Sequence, residues 1–223
     1  GESSEQGKVG IYNLKTKKTV YLKTNQPKDF YVSNVTWGND NFIYIVEMNR
    51  GQDHFWFNKY DYNTGEKVQT LFEEKHTTFL QPVFEPYFIP GKEGEFIWLS
   101  EREGFFNAFH YNTDGKLIKQ LTEFNWEITG IKGFDKKNNN LIIEGTSEDG
   151  RELHAYAINL SSKKVAQLTE EKGVHHVKLH PSGKYLIDNY SNLTTPKNIN
   201  VVDTKSKKSI NIFSAPNPLA EHK

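Results

Sequence analysis

The stretch FIWLSEREGFFNAFHYNTDGKLIKQLTEF, residues 96–124, alternates apolar and polar positions as two strands around Ser100-Glu101-Arg102-Glu103-Gly104, then a turn at Asp114-Gly115 and a third strand. A weaker copy follows as LIIEGTSEDGRELHAYAINLSSKKVAQLTEE. Alternation over runs this short, bounded by Gly, Asn, Asp and Ser clusters, predicts strands. Leu121-Thr122 recurs as Leu168-Thr169 and Thr64-Gly65 as Asp114-Gly115, which sets a period of about 45–50 residues.

Four-strand units at that period fall at 31–75, 82–124, 128–171 and 173–215. The second consists of PVFEPYFIP, EFIWLSE, NAFHYNT and LIKQLTEF. A half unit, GIYNLKTKKTVYLKT, precedes them within 8–24. Each unit carries a strand ending in Tyr, Asn or Asp, a tight turn and a short amphipathic strand, which is the outer hairpin of a propeller blade. Short antiparallel strands in fours predict an all-β fold, a partial β-propeller of four blades and a half. A β-sandwich would lack the long repeat, and no stretch carries the helical period over ten or more residues. Residues 1–7 read as a flexible cut end and 216–223 as a linker.

Composition narrows the chemistry. The 223 residues carry 28 Lys+Arg and 28 Asp+Glu, so no net charge draws the chain to nucleic acid or anionic lipid. No cysteine is present, which excludes disulfides, thiolate metal sites and a cysteine nucleophile. No apolar run approaches the ~20 residues of a membrane span, and GESSEQG has no apolar signal core.

Several strings exceed what a blade needs: VTWGNDNFIYIVEMNRGQDHFWFNKYD, FEPYFIP, the Ser-Glu-Arg-Glu-Gly turn, Gln-Leu-Thr, Trp126-Glu127-Ile128-Thr129, and YSNLTTPKNINVVD after HPSGKYLI. In this order, over about residues 8–215, the chain resembles the N-terminal propeller region of the dipeptidyl peptidase IV branch of the prolyl oligopeptidase family, its bacterial members above all. The resemblance implies an eight-bladed, incompletely closed propeller followed in the same chain by an α/β-hydrolase domain. That domain would carry a Ser-Asp-His triad and release dipeptides with proline or alanine second. It also implies a periplasmic or secreted bacterial protein, a homodimeric parent, peptide substrates and no cofactor. An arc of blades exposes an unpaired blade at each end, so self-association or disordered first strands are expected. A free-standing propeller that binds a protein or peptide partner is the alternative reading.

Candidate site residues are few. The nucleophile elbow Gly-x-Ser-x-Gly is absent, and Ser33, Ser100 and Ser147 read as strand or solvated turn serines, so the region itself is expected to be non-catalytic. In the family, a Phe-Arg-Pro segment on an innermost strand lines the substrate pocket. The matching string here is Phe84-Glu85-Pro86, with Glu85 reversing the arginine's charge. Phe84 and Glu85 are thus the candidate substrate-binding residues, against the plainer reading that Phe84 packs between blades. The ammonium-binding glutamates of the family lie on earlier blades, and Glu73-Glu74 and Glu170-Glu171 read as solvated edge charges. His175 and His176 point to opposite faces of one strand and cannot share an ion with each other, so no metal site is expected there or at His180. Trp37, Trp56, Trp98 and Trp126 read as blade core.

Overall fold

The computed structural model describes residues 7–24 and 30–218, and these form strands and turns without a helix. Of the lead-in expected at 1–7 and the linker expected at 216–223, residues 1–6 and 219–223 lie outside the described residues. The chain divides into two units, Gly1–Arg102 with Phe109–Lys119, and Glu103–Ala108 with Gln120–Lys223.

In the first unit, β1 (Gly10–Asn13) and β2 (Lys18–Tyr21) pair as a hairpin. The expected disorder of the first strands is therefore not seen in this hairpin. β3 (Tyr31–Trp37), β4 (Ile43–Met48), β5 (His54–Tyr60) and β6 (Lys67–Lys75) form an antiparallel sheet in chain order. β7 (Tyr87–Phe88), β8 (Glu95–Ser100), β9 (Asn107–Asn112) and β10 (Leu117–Gln120) form the next, again in chain order, with Asn107, Ala108 and Gln120 assigned to the second unit.

β4 is buried at every position, so its apolar run meets packing on both faces. One face belongs to Leu22, Ile43, Ile45 and Tyr60, on which Val9, Ile11, Val32 and Tyr62 pack. The other belongs to an aromatic core of Tyr44, Phe55, Phe57, Phe96, Trp98, Phe109 and Tyr111 with Val46, Leu71 and Leu80. Rings at 5.0 Å (Phe57–Trp98) and 5.7 Å (Phe96–Tyr111) sit at the spacing where aromatic pairs add about 0.5–1.5 kcal/mol to burial. Trp37 departs from the expected core role: it is 57% exposed, because β3 is an edge strand and its last residue stands at the rim of a cleft of about 630 Å³ lined by Ile11, Tyr12 and Tyr62.

In the second unit, β11 (Ile128–Asp135), β12 (Asn140–Thr146), β13 (Leu153–Asn159) and β14 (Val165–Gln167) form one antiparallel set. β15 (Val174–Leu179), β16 (Tyr185–Ser191), β17 (Asn198–Asp203) and β18 (Ser209–Ser214) form another. A single parallel bridge, Leu153 to Val174, joins them. Glu144, 4% exposed, strengthens the joint by accepting the Val177 amide at 2.6 Å and the Lys132 ammonium at 2.6 Å. Ile142, Ala155, Ala157, Leu168, Val177, Leu186 and Val202 form the core beneath.

The repeat has a physical identity. In Gln120-Leu121-Thr122 the Thr122 hydroxyl accepts the Ala108 amide at 2.9 Å, the Leu121 amide reaches the Ala108 carbonyl at 2.8 Å, and the Gln120 amide group caps the Thr122 carbonyl at 2.9 Å. Gln167-Leu168-Thr169 makes the same three bonds, to Ala155 twice at 3.1 and 2.8 Å and to its own Thr169 carbonyl at 2.6 Å. Because a side-chain hydroxyl replaces the next ladder bond, β10 and β14 end at the glutamine and do not run on through the expected 117–124 and 164–171.

The outer hairpins also repeat. The side chains of Asn13, Asp61, Asn159 and Asp203 each accept two amides two and three residues on, as at Asp61 with Asn63 (2.8 Å) and Thr64 (2.9 Å). The fifth residue of each is left-handed: Lys17, Gly65, Lys163 and Lys207. Glycine is demanded at 65, where a Cβ would lie 2.2 Å from the Tyr21 carbonyl oxygen.

Candidate functional site

The segment carrying Phe84 and Glu85 is not the strand expected over 82–90. Only Tyr87 and Phe88 pair, with Ile97 and Phe96 of β8. Pro82 and Pro86 have no amide hydrogen to give a ladder, so the chain ahead of β7 runs along the sheet edge as a bend.

Hydrogen bonds near both ends hold this bend. At its start the Leu80 amide donates to the Gln52 carbonyl at 2.7 Å. Gln52 is left-handed (φ 55°) in the Asn49–Asp53 turn, where the Asn49 side chain accepts the Asp53 and His54 amides at 3.2 Å each. That is the local work of the Asn-Arg-Gly-Gln-Asp string. At the other end the Asn34 amide group donates to the Phe84 carbonyl at 2.7 Å. Between them the Val83 amide closes on the Gln81 carbonyl at 2.8 Å, and Pro86 is buried. Phe84 is left half-buried and Glu85 exposed. Among the described residues Glu85 has no ion-pair partner.

Nearby carboxylates divide in a way the sequence did not show. Glu73 is exposed, and hydrogen bonds from His54 and then Lys75 hold its carboxyl below the usual range. Glu74 is 8% exposed, not a solvated edge charge: it accepts Trp98 Nε1 at 3.0 Å, Ser100 Oγ at 2.8 Å and Arg102 Nη2 at 2.5 Å. Ser100 is likewise 3% exposed and not a turn serine. Arg102 also donates to the Tyr111 hydroxyl at 3.0 Å and lies over the Phe109 ring at 4.2 Å. With the carboxylate neutralised and Ser100 donating to it, the Ser-Glu-Arg string builds an internal ion pair and offers no nucleophile.

The histidines separate by face. His175 is buried on β15 while His176 and His180 are exposed. His175 Nδ1 bonds Asp188 at 2.9 Å and Nε2 faces the Glu171 carbonyl at 2.7 Å. Two acceptors call for two ring hydrogens, the imidazolium. Burial lowers its pKa, but the bonds to Asp188 and Glu171 outweigh burial and leave it raised. The His180–Ser182 contact at 2.8 Å is a turn, in which the Ser182 amide also donates to the same ring nitrogen. His110 on β9 bonds Glu95 at 2.8 Å, and burial pulls its pKa down. Among the described residues no three His, Asp or Glu gather as metal ligands.

Four-stranded antiparallel sheets in serial order and the 47-residue recurrence of Ala108 and Thr122 as Ala155 and Thr169 define an all-β protein of the propeller class. Residues 1–197 match the family model of the dipeptidyl peptidase IV N-terminal region, and the chain belongs to that family. A Bacteroides ovatus protein assigned as a dipeptidyl aminopeptidase IV superposes over 99% of this chain with a TM-score of 0.91 at 33% identity. Dipeptidyl peptidase 4 of Porphyromonas gingivalis shares the fold over 93% of the chain, TM-score 0.83, at 19% identity. The chain covers 34% and 29% of those two proteins, about a third of their length.

Proposed function

We propose that this chain is the substrate-gating propeller region of a serine-type dipeptidyl peptidase that removes Xaa-Pro and Xaa-Ala dipeptides from peptide N-termini. The observation that carries the reading is the family match over 1–197 together with 33% identity across 99% of the chain to the B. ovatus protein. In this reading the blades over 8–215 wall off a pocket and admit short, unstructured peptides, and 216–223 leads to an α/β-hydrolase domain that supplies nucleophile, base and acid. Phe84 gives the pocket an apolar wall and Glu85 an anionic one. The propeller residues contribute binding and exclusion, so residues 1–223 alone have no hydrolytic activity. The parent is a homodimer, periplasmic or secreted, in a bacterium. No helix in the described residues is long and apolar enough to cross a membrane.

The test is an assay of the full-length protein on Gly-Pro- and Gly-Ala-p-nitroanilide with an N-blocked control. Labelling by a fluorophosphonate reports on the serine. Release from the free-amine substrates, none from the blocked one, and labelling outside residues 1–223 are expected. Activity in the isolated 1–223 chain, or cleavage of the blocked peptide, would sink the proposal.

A further inference from the structure

We infer that Asn34 is a positioning residue for the Phe84-Glu85 wall, an inference that rests on the pocket reading above. β3 pairs Ser33 with Val46 and Thr36 with Tyr44, so Asn34 and Val35 together face only Ile45: a β-bulge in an edge strand. Asn34 takes the left-handed backbone there (φ 53°), a conformation asparagine tolerates better than most side chains. The bulge turns its amide group away from its own sheet and onto the Phe84 carbonyl at 2.7 Å. Its carbonyl meanwhile accepts the Thr36 hydroxyl at 3.3 Å.

The bond matters because the receiving segment lies ahead of the β7 ladder. Pro82 and Pro86 supply no amide hydrogen, and β7 holds only Tyr87 and Phe88. The Asn34 bond ties the Phe84 carbonyl to β3 of the preceding sheet. Fixing the peptide plane at 84 sets the directions of the Phe84 and Glu85 side chains, which leave the backbone on either side of it. A residue that acts this way changes how well a substrate is held without touching the reacting atoms.

The experiment uses the full-length protein, with KM and kcat measured on Gly-Pro-p-nitroanilide and a thermal melt for each variant. Asn34→Gly keeps the left-handed backbone and loses the donor; Asn34→Asp keeps the shape and loses the donor. Both are expected to raise KM about 3–10-fold with kcat within about 2-fold. Phe84→Ala is expected to raise KM as well, and Asn34→Gly added to it should raise KM by less than it does in the wild type, since part of the Asn34 effect passes through Phe84. If Phe84→Ala raises KM while both Asn34 variants keep the wild-type value, or if the double variant is additive, the Asn34 inference is overturned and the pocket reading stands. If Phe84→Ala leaves KM unchanged, the pocket reading falls and the inference with it. A loss confined to kcat also overturns it.

Discussion

Replacing Glu74 by alanine tests the buried network most directly. The carboxylate accepts Trp98 Nε1 at 3.0 Å and Ser100 Oγ at 2.8 Å, and both residues are almost fully buried, at 1% and 3% exposure. Removing it leaves two buried donors without an acceptor, at about 1–3 kcal/mol each. The Arg102 side chain keeps 30% exposure, so water recovers most of its charge and it adds little. The sum is about 3 kcal/mol. For a domain of this size each kcal/mol moves Tm by about 2–4 °C, so the melt should fall by about 6–12 °C. Urea unfolding of wild type, Glu74→Ala, Ser100→Ala and the double variant gives the energies. The double variant should recover about 1 kcal/mol of the sum of the singles, because Ser100→Ala removes one of the orphaned donors. A loss below about 1 kcal/mol for Glu74→Ala, or strict additivity, would refute the account of Glu74 as the buried acceptor.

Other outcomes follow from the same geometry. Gly115→Ala, whose Cβ would sit 2.3 Å from the Leu71 carbonyl oxygen at φ 84°, should cost more than about 2 kcal/mol, as should Gly65→Ala; a change under half that in denaturant titration contradicts the close approach. Lys163→Gly relieves a left-handed residue (φ 59°) in the matching hairpin and should stabilise by up to about 1 kcal/mol in the same titration, a loss of stability counting against it. His175, raised by Asp188 and Glu171 against the effect of burial, contributes stability that is complete below the unfolded histidine value of about 6.5 and is lost as pH rises through the higher folded value. Asp188, Glu171, Tyr190 and His154, the last paired with Glu152, are the groups facing it. The stability difference between wild type and His175→Gln, followed from pH 5.5 to 9, should therefore shrink with rising pH; a constant or widening difference refutes the imidazolium assignment.

Much of the fold was legible in the amino-acid pattern because its causes are local. Alternation marks strands, and Asn13, Asp61, Asn159 and Asp203 each build a turn from atoms two to three residues away. The recurrence of Gln-Leu-Thr exposed the blade period because each copy makes the same bonds to an alanine one strand back. The strand ending expected across Phe84 failed for an equally local reason, the prolines at 82 and 86, and could have been read from them.

The site's supports were not legible in this way. Asn34 and Phe84 lie 50 residues apart, and no local pattern says that a bulge in one sheet will present an amide to the next. Glu73 and Glu74 make the point most sharply. Alternation along β6 puts neighbours on opposite faces, yet it cannot say which face is covered. Sheet packing buries Glu74 beside Trp98 and Arg102 and leaves Glu73 in water with His54 and Lys75. Side-chain period is a property of one strand. Burial, and with it the cost of a charge and the partners it must find, belongs to the sheet that stacks against it.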